Sequence, residues 1–350
     1  YIYMASLSEL RSVRLEKLHV LEQSGMSPYP ASVPKTHNLI DLIRDFNSIQ
    51  QSGETVSVVG RITSLRGQGA IMFATLFDGT ERFQVVFKRD SIEPSLFTLF
   101  TDAIDLGDFI SVTGTLFTTE RGAQSVLCTD WTIATKSLLP IPSEHYGLEN
   151  VEEKMRKRYL DAIVNPDVYN RFKTRSSVIK YIREFFDSRD FMEIETPILQ
   201  NQEGGAMAKT FNTHHNDYDL DMVLRISLEL EHKMMMTAGY QRIYEIGKNF
   251  RNEGSDPTHI QEFTMIEWYA AYETLETNMK WTQELIQGIA NDVIGKTTFT
   301  ILDKNDTPVE INLGGNWEQV RFDDLLRRNA NLDISTASLD EIKSKASEYG

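Results

Sequence analysis

Apolar residues recur at helical spacing in several separate parts of the chain. Between residues 6 and 24 they return every three or four positions, which predicts an amphipathic helix. A polar, proline-containing stretch follows it, and residues 38–50 could form a second, shorter helix. The same spacing predicts three later helices, at 167–190, 228–239 and 275–294.

Between these helical regions the apolar pattern changes to a period of two, which is typical of strands. Five such segments surround one helix-like segment, 91–104; they are 55–66, 70–78, 82–87, 109–119 and 124–135. Three strands, a helix and two strands is the order of an OB-fold barrel. On this pattern alone, a generic small β-barrel explains the order of elements as well as an OB fold does.

Strand patterns return in the second half of the chain. Residues 191–199 are predicted to form a strand that ends near Pro197, and two more strands are expected at 242–253 and 261–271. Turn formers separate the last two, so they should form a hairpin. From about residue 300 the pattern weakens into short strands and helices. The expected class is α+β.

The length of 350 residues, 41% of them hydrophobic, is enough for two domains with substantial cores. Two prolines and few periodic positions indicate a linker at 138–152. The expected division is a helical segment at 1–53, the barrel domain at 54–137, this linker, and a second domain at 153–350.

Charge and cysteine content exclude few classes of function. The net charge of −15 argues mildly against a nucleic-acid partner, although 152–160 carries a local basic patch. No apolar run is long enough for a membrane span. The single cysteine, Cys128, permits no internal disulfide and no cysteine-based metal site, which fits a reducing cytoplasm.

The hairpin combines apolar and charged residues on one predicted face. Alternation aligns Phe263, Glu267 and Tyr269 on its second strand, and Arg251 with Glu253 on its first. Burying a charge costs several kcal/mol unless it is paired. An arginine fork suits a carboxylate or phosphate, a phenyl ring suits a heterocycle, and a glutamate beside a tyrosine suits an ammonium group. The face therefore indicates a floor for a nucleotide and an amino compound; a solvated Arg–Glu pair is the structural alternative.

The same residues resemble a known family. RIYEIGKNFRNEG (242–254) followed by THIQEFTMIEWY (258–269) resembles motif 2 of class II aminoacyl-tRNA synthetases, in the lysyl form. FMEIETPIL (191–199) resembles motif 1, which helps form the dimer interface of the family. The segment at 203–233 resembles the amino-acid-binding segment, and the barrel region resembles the anticodon-binding OB domain. The resemblance covers nearly the whole chain to about residue 275.

The resemblance implies an OB-fold barrel followed by an antiparallel sheet flanked by helices, and a two-step reaction. Lysine would react with ATP to give lysyl-adenylate and pyrophosphate, and the lysyl group would pass to the 3′ end of tRNA-Lys. Mg²⁺ would accompany ATP. A cytoplasmic homodimer formed through motif 1, without a membrane partner, is expected.

The resemblance also implies roles for individual residues. Arg251 would be catalytic, because it would bridge the carboxylate of lysine and the α-phosphate of ATP. The ATP site would contain Arg251, Glu253, His259 and Phe263, and the lysine site Gly205, Glu229, Glu267 and Tyr269. The anticodon would contact Phe73, Gln84 and Asp130.

Some positions depart from the family pattern. Asp130 stands where glutamate is typical and Thr258 where bacterial relatives commonly have arginine. Nothing like motif 3 precedes Gly350, so the metal ligands are expected beyond it, no metal site is expected within this chain, and the chain is expected to be incomplete and impaired in catalysis. An aspartyl- or asparaginyl-type enzyme, a catalytically inactive RNA-binding fragment, and a barrel used only for protein contacts are the alternatives. Because Glu229 and Glu267 would make an anionic site, a lysine-like substrate is favoured over an acidic one.

Overall fold

The chain folds into two compact units, residues Tyr1–Tyr169 and Asn170–Gly350. The structure is a computed structural model that describes residues 6–142, 150–256, 258–303 and 305–349. Part of the expected linker and Pro257 of the expected turn lie outside the described residues. Within the described ranges, no helix has both the length and the apolar character needed to cross a membrane.

Three helices precede the barrel: α1 (Leu7–Gln23), α2 (Leu39–Arg44) and α3 (Phe46–Ser52). A capping box between Ser6 and Glu9 begins α1, because each side chain accepts a hydrogen bond from the other residue's backbone. The helix expected at 38–50 is two helices rather than one. Asp45 separates them because its backbone leaves the helical region, at φ −101° and ψ 13°.

The next elements form a closed five-stranded barrel, which confirms the expected OB-fold architecture. They are β1 (Val56–Gln68), β2 (Ile71–Phe77), β3 (Arg82–Lys88), α4 (Pro94–Ala103), β4 (Phe109–Thr118) and β5 (Gln124–Thr135). The strand order is β1-β2-β3-β5-β4, and the short parallel pairing of β3 with β5 closes the ring.

The barrel interior is filled by alternate side chains of its strands and by one face of α4. Phe87 of β3 stacks on Phe100 of α4 with ring centroids 3.8 Å apart, and Trp131 packs edge-on against Phe100. The indole of Trp131 also donates to the carbonyl of Leu96, 3.0 Å away. Each large apolar side chain buried in this way contributes about 1.5–3 kcal/mol.

A buried charged cluster joins α1 to the barrel. The Lys136 ammonium, which is fully buried, lies 2.7 Å from both Asp105 and Asp108. Lys17 of α1 reaches Asp105 at 2.6 Å. Arg14 of α1 donates to three backbone carbonyls, including that of Leu106 at 3.0 Å. These contacts hold the helix against the barrel wall.

The remaining part of the chain alternates short strands and helices. In order the elements are α5 (Val151–Arg156), α6 (Arg158–Val164), α7 (Pro166–Asp187), β6 (Met192–Glu193), β7 (Leu199–Gln200), β8 (Asn212–His215), β9 (Leu220–Leu224), α8 (Glu229–Thr237), β10 (Arg242–Phe250), β11 (Glu262–Ala270), α9 (Leu275–Gly288), a π-helical turn (Ile289–Ile294), β12 (Thr298–Leu302), β13 (Pro308–Asn312), α10 (Phe322–Ala330) and α11 (Leu339–Tyr349). The sheets of this part have the orders β11-β10-β6, β7-β9-β8 and β12-β13.

Two strand predictions in the second unit, Asn170–Gly350, are wrong in extent. The strand expected at 191–199 pairs only at β6 and, separately, at β7. Pro197 lacks an N–H group for a ladder, and the Arg225 guanidinium binds the carbonyl of Thr196 instead. The first hairpin strand ends at Phe250, not at residue 253. After a last hairpin bond from the Arg251 N–H group to the carbonyl of Gln261, the N–H groups of Asn252 and Glu253 donate to the carbonyls of Lys209 and Arg251 instead.

Candidate functional site

The register of β10 and β11 defines one mixed face of the hairpin. Asn249 pairs with Phe263, Glu245 with Glu267, and Ile243 with Tyr269. We name this the hairpin face; it comprises Ile243, Glu245, Gly247, Asn249, Phe263, Met265, Glu267 and Tyr269. Two glutamates therefore lie directly opposite each other. Sequence reasoning missed Glu245, and Arg251 with Glu253 lie past the end of β10 rather than on this face.

The negative charge of Glu245 is balanced by side chains of the protein itself. Its carboxylate lies 2.7 Å from the buried guanidinium of Arg225 and accepts from the Thr196 hydroxyl at 2.7 Å and from His232 at 3.3 Å. Burial raises the pKa of Glu245, but the hydrogen bonds from His232 and Thr196 and the Arg225 charge outweigh it and leave the pKa below its ordinary value. This carboxylate is therefore ionised and satisfied.

Gly247 gives the Arg225 guanidinium its room on the hairpin face. A Cβ at residue 247 would lie in contact with Arg225 Nη2 and 2.8 Å from Glu245 Oε1. No φ constraint requires glycine there, so the close approach of the ion pair is the reason for it. The alternation of β10 indicated a face but gave no sign that an arginine from outside the hairpin covers part of it.

Glu267, in contrast, is bound only by uncharged donors. The Ser227 hydroxyl, the Leu228 N–H group and the Tyr269 hydroxyl donate to it at 3.3, 3.4 and 3.1 Å. In the described ranges no lysine, arginine or histidine forms an ion pair with it. Burial, followed by the charge of Glu267, raises the pKa of the Tyr269 phenol, which keeps the hydroxyl protonated as a donor. A partly buried carboxylate with only uncharged donors has the charge that suits a cation.

Gly205 and Glu229 lie at the same place. Gly205 adopts a φ of +79°, and a Cβ there would lie 2.9 Å from Ser227 Oγ and 3.0 Å from Glu229 Cβ. The structure thus brings together all four residues predicted to bind lysine. Glu229 already pairs with Lys233 one turn along α8. Ser227, whose hydroxyl donates to Glu267 and accepts from the Glu229 N–H group, was missed because a lone serine carries no periodic signal.

Arg251 and Phe263 meet at the other end of the hairpin. The Arg251 guanidinium lies over the Phe263 ring, with Cζ 5.4 Å from its centroid. Within the described residues its hydrogen-bond partner is the carbonyl of Ile226, at 3.4 Å, and it forms no ion pair. Asn249 is fully buried beside them, and its Oδ1 lacks a hydrogen-bond partner among the described residues. A flat ring next to a guanidinium without a carboxylate partner suits a heterocycle that carries an anion.

Glu253 and His259, the other residues predicted to bind ATP, lie in the exposed hairpin loop. His259 Nδ1 is 2.7 Å from Asp256. Hydrogen bonds from Thr258, and then from His259, hold the pKa of Asp256 below its ordinary value, so this carboxylate orients the histidine ring at neutral pH. The structure shows no contact between these side chains and that of Arg251 within the described residues.

In the barrel, Phe73 and Gln84 share the outer surface of neighbouring strands. Phe73 is half-buried and alternates with Ala74 and Leu76, which belong to the core, so its side chain lies on the outside of the barrel. The Gln84 amide donates to Ser125 at 2.8 Å. Asp130 is exposed, and it lies farther along β5 than Ser125, the residue that pairs with Gln84. The structure therefore groups the first two residues more closely than the third.

Comparisons with known proteins agree with these two parts of the chain. Residues 150–345 match the family of class II tRNA synthetases (D, K and N), and residues 56–134 match the OB-fold nucleic acid binding domain. The chain is 38% identical to a lysine–tRNA ligase of Synechococcus sp. (strain CC9605) over 94% of its length and 66% of that protein. It is 39% identical to one of Roseiflexus castenholzii over 94% and 66%, and 36% identical to one of Enterococcus faecalis over 99% and 70%.

The chain spans about two thirds of the length of the curated relatives it matches. The match to the synthetase family covers more than half of the chain and includes the whole hairpin, with Glu267, Arg251 and Phe263. The chain therefore belongs to the class II tRNA synthetases of the D, K and N group.

Proposed function

We propose that the protein is a lysine–tRNA ligase, which joins L-lysine to tRNA-Lys through a lysyl-adenylate made from ATP. The observation that carries the proposal is Glu267, a partly buried carboxylate that accepts from three uncharged donors and has no counter-charge among the described residues. An ammonium group supplies the missing charge and donates hydrogen bonds to the carboxylate.

The charges of the hairpin face favour lysine over an acidic amino acid such as aspartate. Arg225 is buried and forms an ion pair with Glu245, one of the two opposed glutamates. It is therefore not available to an acidic substrate. Such a substrate would bring a third carboxylate next to Glu267, and like charges at this separation repel each other strongly in a partly buried site.

The proposed chemistry depends on Arg251 and Phe263. The Phe263 ring stacks on adenine, and the Arg251 guanidinium holds the α-phosphate next to the carboxylate of lysine. A lysine carboxylate oxygen then attacks the α-phosphorus, the bond to the β-phosphate oxygen breaks, and pyrophosphate leaves. Arg251 offsets the repulsion between the two anions and stabilises the charge that develops on the phosphorus oxygens. In the second step a terminal hydroxyl of tRNA takes the lysyl group and AMP leaves.

Mg²⁺ is expected to accompany ATP. No group of three or more His, Cys, Asp or Glu side chains in the described part of the chain could hold a metal ion. The described residues thus offer no ready set of protein ligands for this ion, and we assign no step to it.

Exposed side chains support two further partners, a second copy of the chain and the anticodon of tRNA. Met192, Ile198 and Leu199 are exposed apolar residues of the motif 1 segment, which supports a contact with a second copy of the chain. The outer barrel surface with Phe73 and Gln84 suits stacking and hydrogen bonding to the unpaired bases of an anticodon.

Amino-acid-dependent ATP–pyrophosphate exchange on the full-length protein tests the proposed function. We expect exchange with L-lysine and none above background with L-aspartate or L-asparagine. Exchange with aspartate would reassign the substrate. No exchange with any of the three, together with retained tRNA binding, would favour the RNA-binding alternative without catalysis.

A further inference from the structure

A buried histidine packs against one residue of the proposed ammonium site. We define this site as Gly205, Ser227, Glu229, Glu267 and Tyr269. We propose that His232 is a positioning residue for this site, which acts by holding the Tyr269 ring so that its hydroxyl donates to Glu267. The inference rests on the proposed function as far as lysine is concerned. It concerns a residue that neither the sequence pattern nor the hairpin register singled out.

The first support is the place of His232 in the fold. It lies on α8 and has no solvent exposure. Its ring packs edge-on against the Tyr269 ring, with centroids 5.2 Å apart and planes at 74°. This is the edge-to-face geometry that aromatic pairs prefer. The contact restricts rotation of the tyrosine side chain.

The second support is the anchoring of the histidine itself. Its Nε2 lies 3.3 Å from Glu245 Oε2, and Glu245 is held in turn by Arg225 and Thr196. Because Glu245 is ionised and can only accept, the hydrogen belongs on Nε2 of His232. Its Nδ1 has no partner among the described residues.

Together these contacts make a chain from the protein interior to the ammonium site. Glu245 orients His232, His232 restricts Tyr269, and the Tyr269 hydroxyl donates to Glu267 Oε2 at 3.1 Å. Glu267 uses its other oxygen to accept from Ser227 and Leu228. If the tyrosine ring turned, Glu267 would lose one of its three donors and could take other rotamers. The histidine thus maintains the geometry of a carboxylate that it does not touch.

The test compares His232→Gln with the wild-type full-length protein by calorimetric titration of L-lysine and, separately, of ATP. Glutamine can still donate to Glu245 but has no ring to pack on Tyr269. We expect the dissociation constant for lysine to rise about tenfold and that for ATP to stay within about twofold. His214→Gln, a substitution at a partly exposed histidine of β8, is the matched control and should change neither constant.

A double-mutant cycle separates positioning from general loosening of the fold. Tyr269→Phe keeps the ring but removes the hydroxyl that His232 is proposed to orient. In that background His232→Gln should weaken lysine binding by less than about twofold. A full additive loss, an unchanged lysine affinity in the single variant, or equal losses for lysine and ATP would each overturn the inference.

A readout without lysine distinguishes this inference from the proposed function. Tyrosine-selective NMR, with the Tyr269 signal assigned from the spectrum of Tyr269→Phe, reports on the ring directly. His232→Gln should shift or broaden that signal, and His232→Phe, which keeps an aromatic ring there, should do so less. If the wild type binds no lysine but the signal responds as expected, the proposed function fails and the positioning role stands. An unchanged signal contradicts the positioning role.

Discussion

At the scale of single residues, two opposed glutamates of the hairpin face have different environments. Glu245 has an arginine, a histidine and a threonine around it, whereas Glu267 has a serine, a backbone amide and a tyrosine. One carboxylate therefore contributes to the fold and the other remains available to a ligand. Residue type alone does not distinguish them; the partners do.

Replacing Glu267 by glutamine should weaken lysine binding far more than ATP binding. The amide keeps the shape of the side chain but loses the charge that an ammonium needs, and loss of one member of a buried charged pair costs about 2–5 kcal/mol. We expect a rise of at least 30-fold, about 2 kcal/mol, in the lysine dissociation constant, measured by calorimetry. Glu262→Gln, at an exposed position of the same strand, is the control. Equal losses for both ligands would mean that Glu267 is scaffold.

Replacing Gly247 by alanine should destabilise the second unit. The added Cβ meets Arg225 and Glu245, so the ion pair must shift in a packed environment, and such overpacking costs about 1–3 kcal/mol. Urea unfolding monitored by tryptophan fluorescence measures the change. Gly254→Ala, where nothing lies within 4 Å of the added atom, should leave the midpoint almost unchanged. Similar effects of both substitutions would contradict this explanation of Gly247.

At the scale of elements, the attachment of α1 to the barrel depends on a buried lysine. Lys136 forms ion pairs with two aspartates, Asp105 and Asp108, whose pKa values shift in opposite directions. Burial raises the pKa of Asp105, but Lys136 and Lys17 outweigh it and the pKa is lowered. Burial dominates at Asp108, which is fully buried and has one cation, so its pKa is raised. The ionised form of Asp108 thus depends on Lys136.

Lys136→Met should destabilise the barrel strongly near neutral pH and less in acid. Without the ammonium, ionised Asp108 is a buried charge without a counter-ion, which costs about 3–5 kcal/mol. As the pH falls through the raised pKa of Asp108, protonation removes that charge and the difference from the wild type narrows. Amide hydrogen exchange of β4 and β5 at about pH 7 and about pH 5 measures it. Lys17→Met, which removes a more exposed cation, should cost less; a pH-independent loss for Lys136→Met would contradict the argument.

At the scale of the whole molecule, the two units are proposed to bind different parts of the substrates. Phe73→Ala should weaken tRNA binding while ATP–pyrophosphate exchange with lysine stays within about twofold of the wild type. One stacked base contributes about 1–3 kcal/mol, so tRNA affinity should fall about 5- to 150-fold. Filter binding measures it, with Leu106→Ala, an exposed apolar position outside the barrel strands, as the control. Unchanged tRNA affinity would remove Phe73 from the anticodon site.

Local patterns in the sequence predicted most elements and the architecture. The five barrel strands, their helix and the hairpin appear close to the expected positions because alternation and helical spacing reflect which side of an element is buried. The predictions failed where backbone partners come from elsewhere. Residues 191–199 form only two short pairings, and the first hairpin strand stops short of residue 253 because the Asn252 N–H group donates to the carbonyl of Lys209.

The candidate site shows the same division between local and long-range information. The sequence was sufficient to place a carboxylate, a phenol, a phenyl ring and an arginine near one hairpin, because spacing along a strand sets which side chains can share a face. It could not show that Arg225 neutralises Glu245, that Gly247 makes room for this pair, or that His232 packs on Tyr269. Those contacts join residues distant along the chain, and long-range packing alone establishes which buried charge is satisfied and which remains open to a ligand.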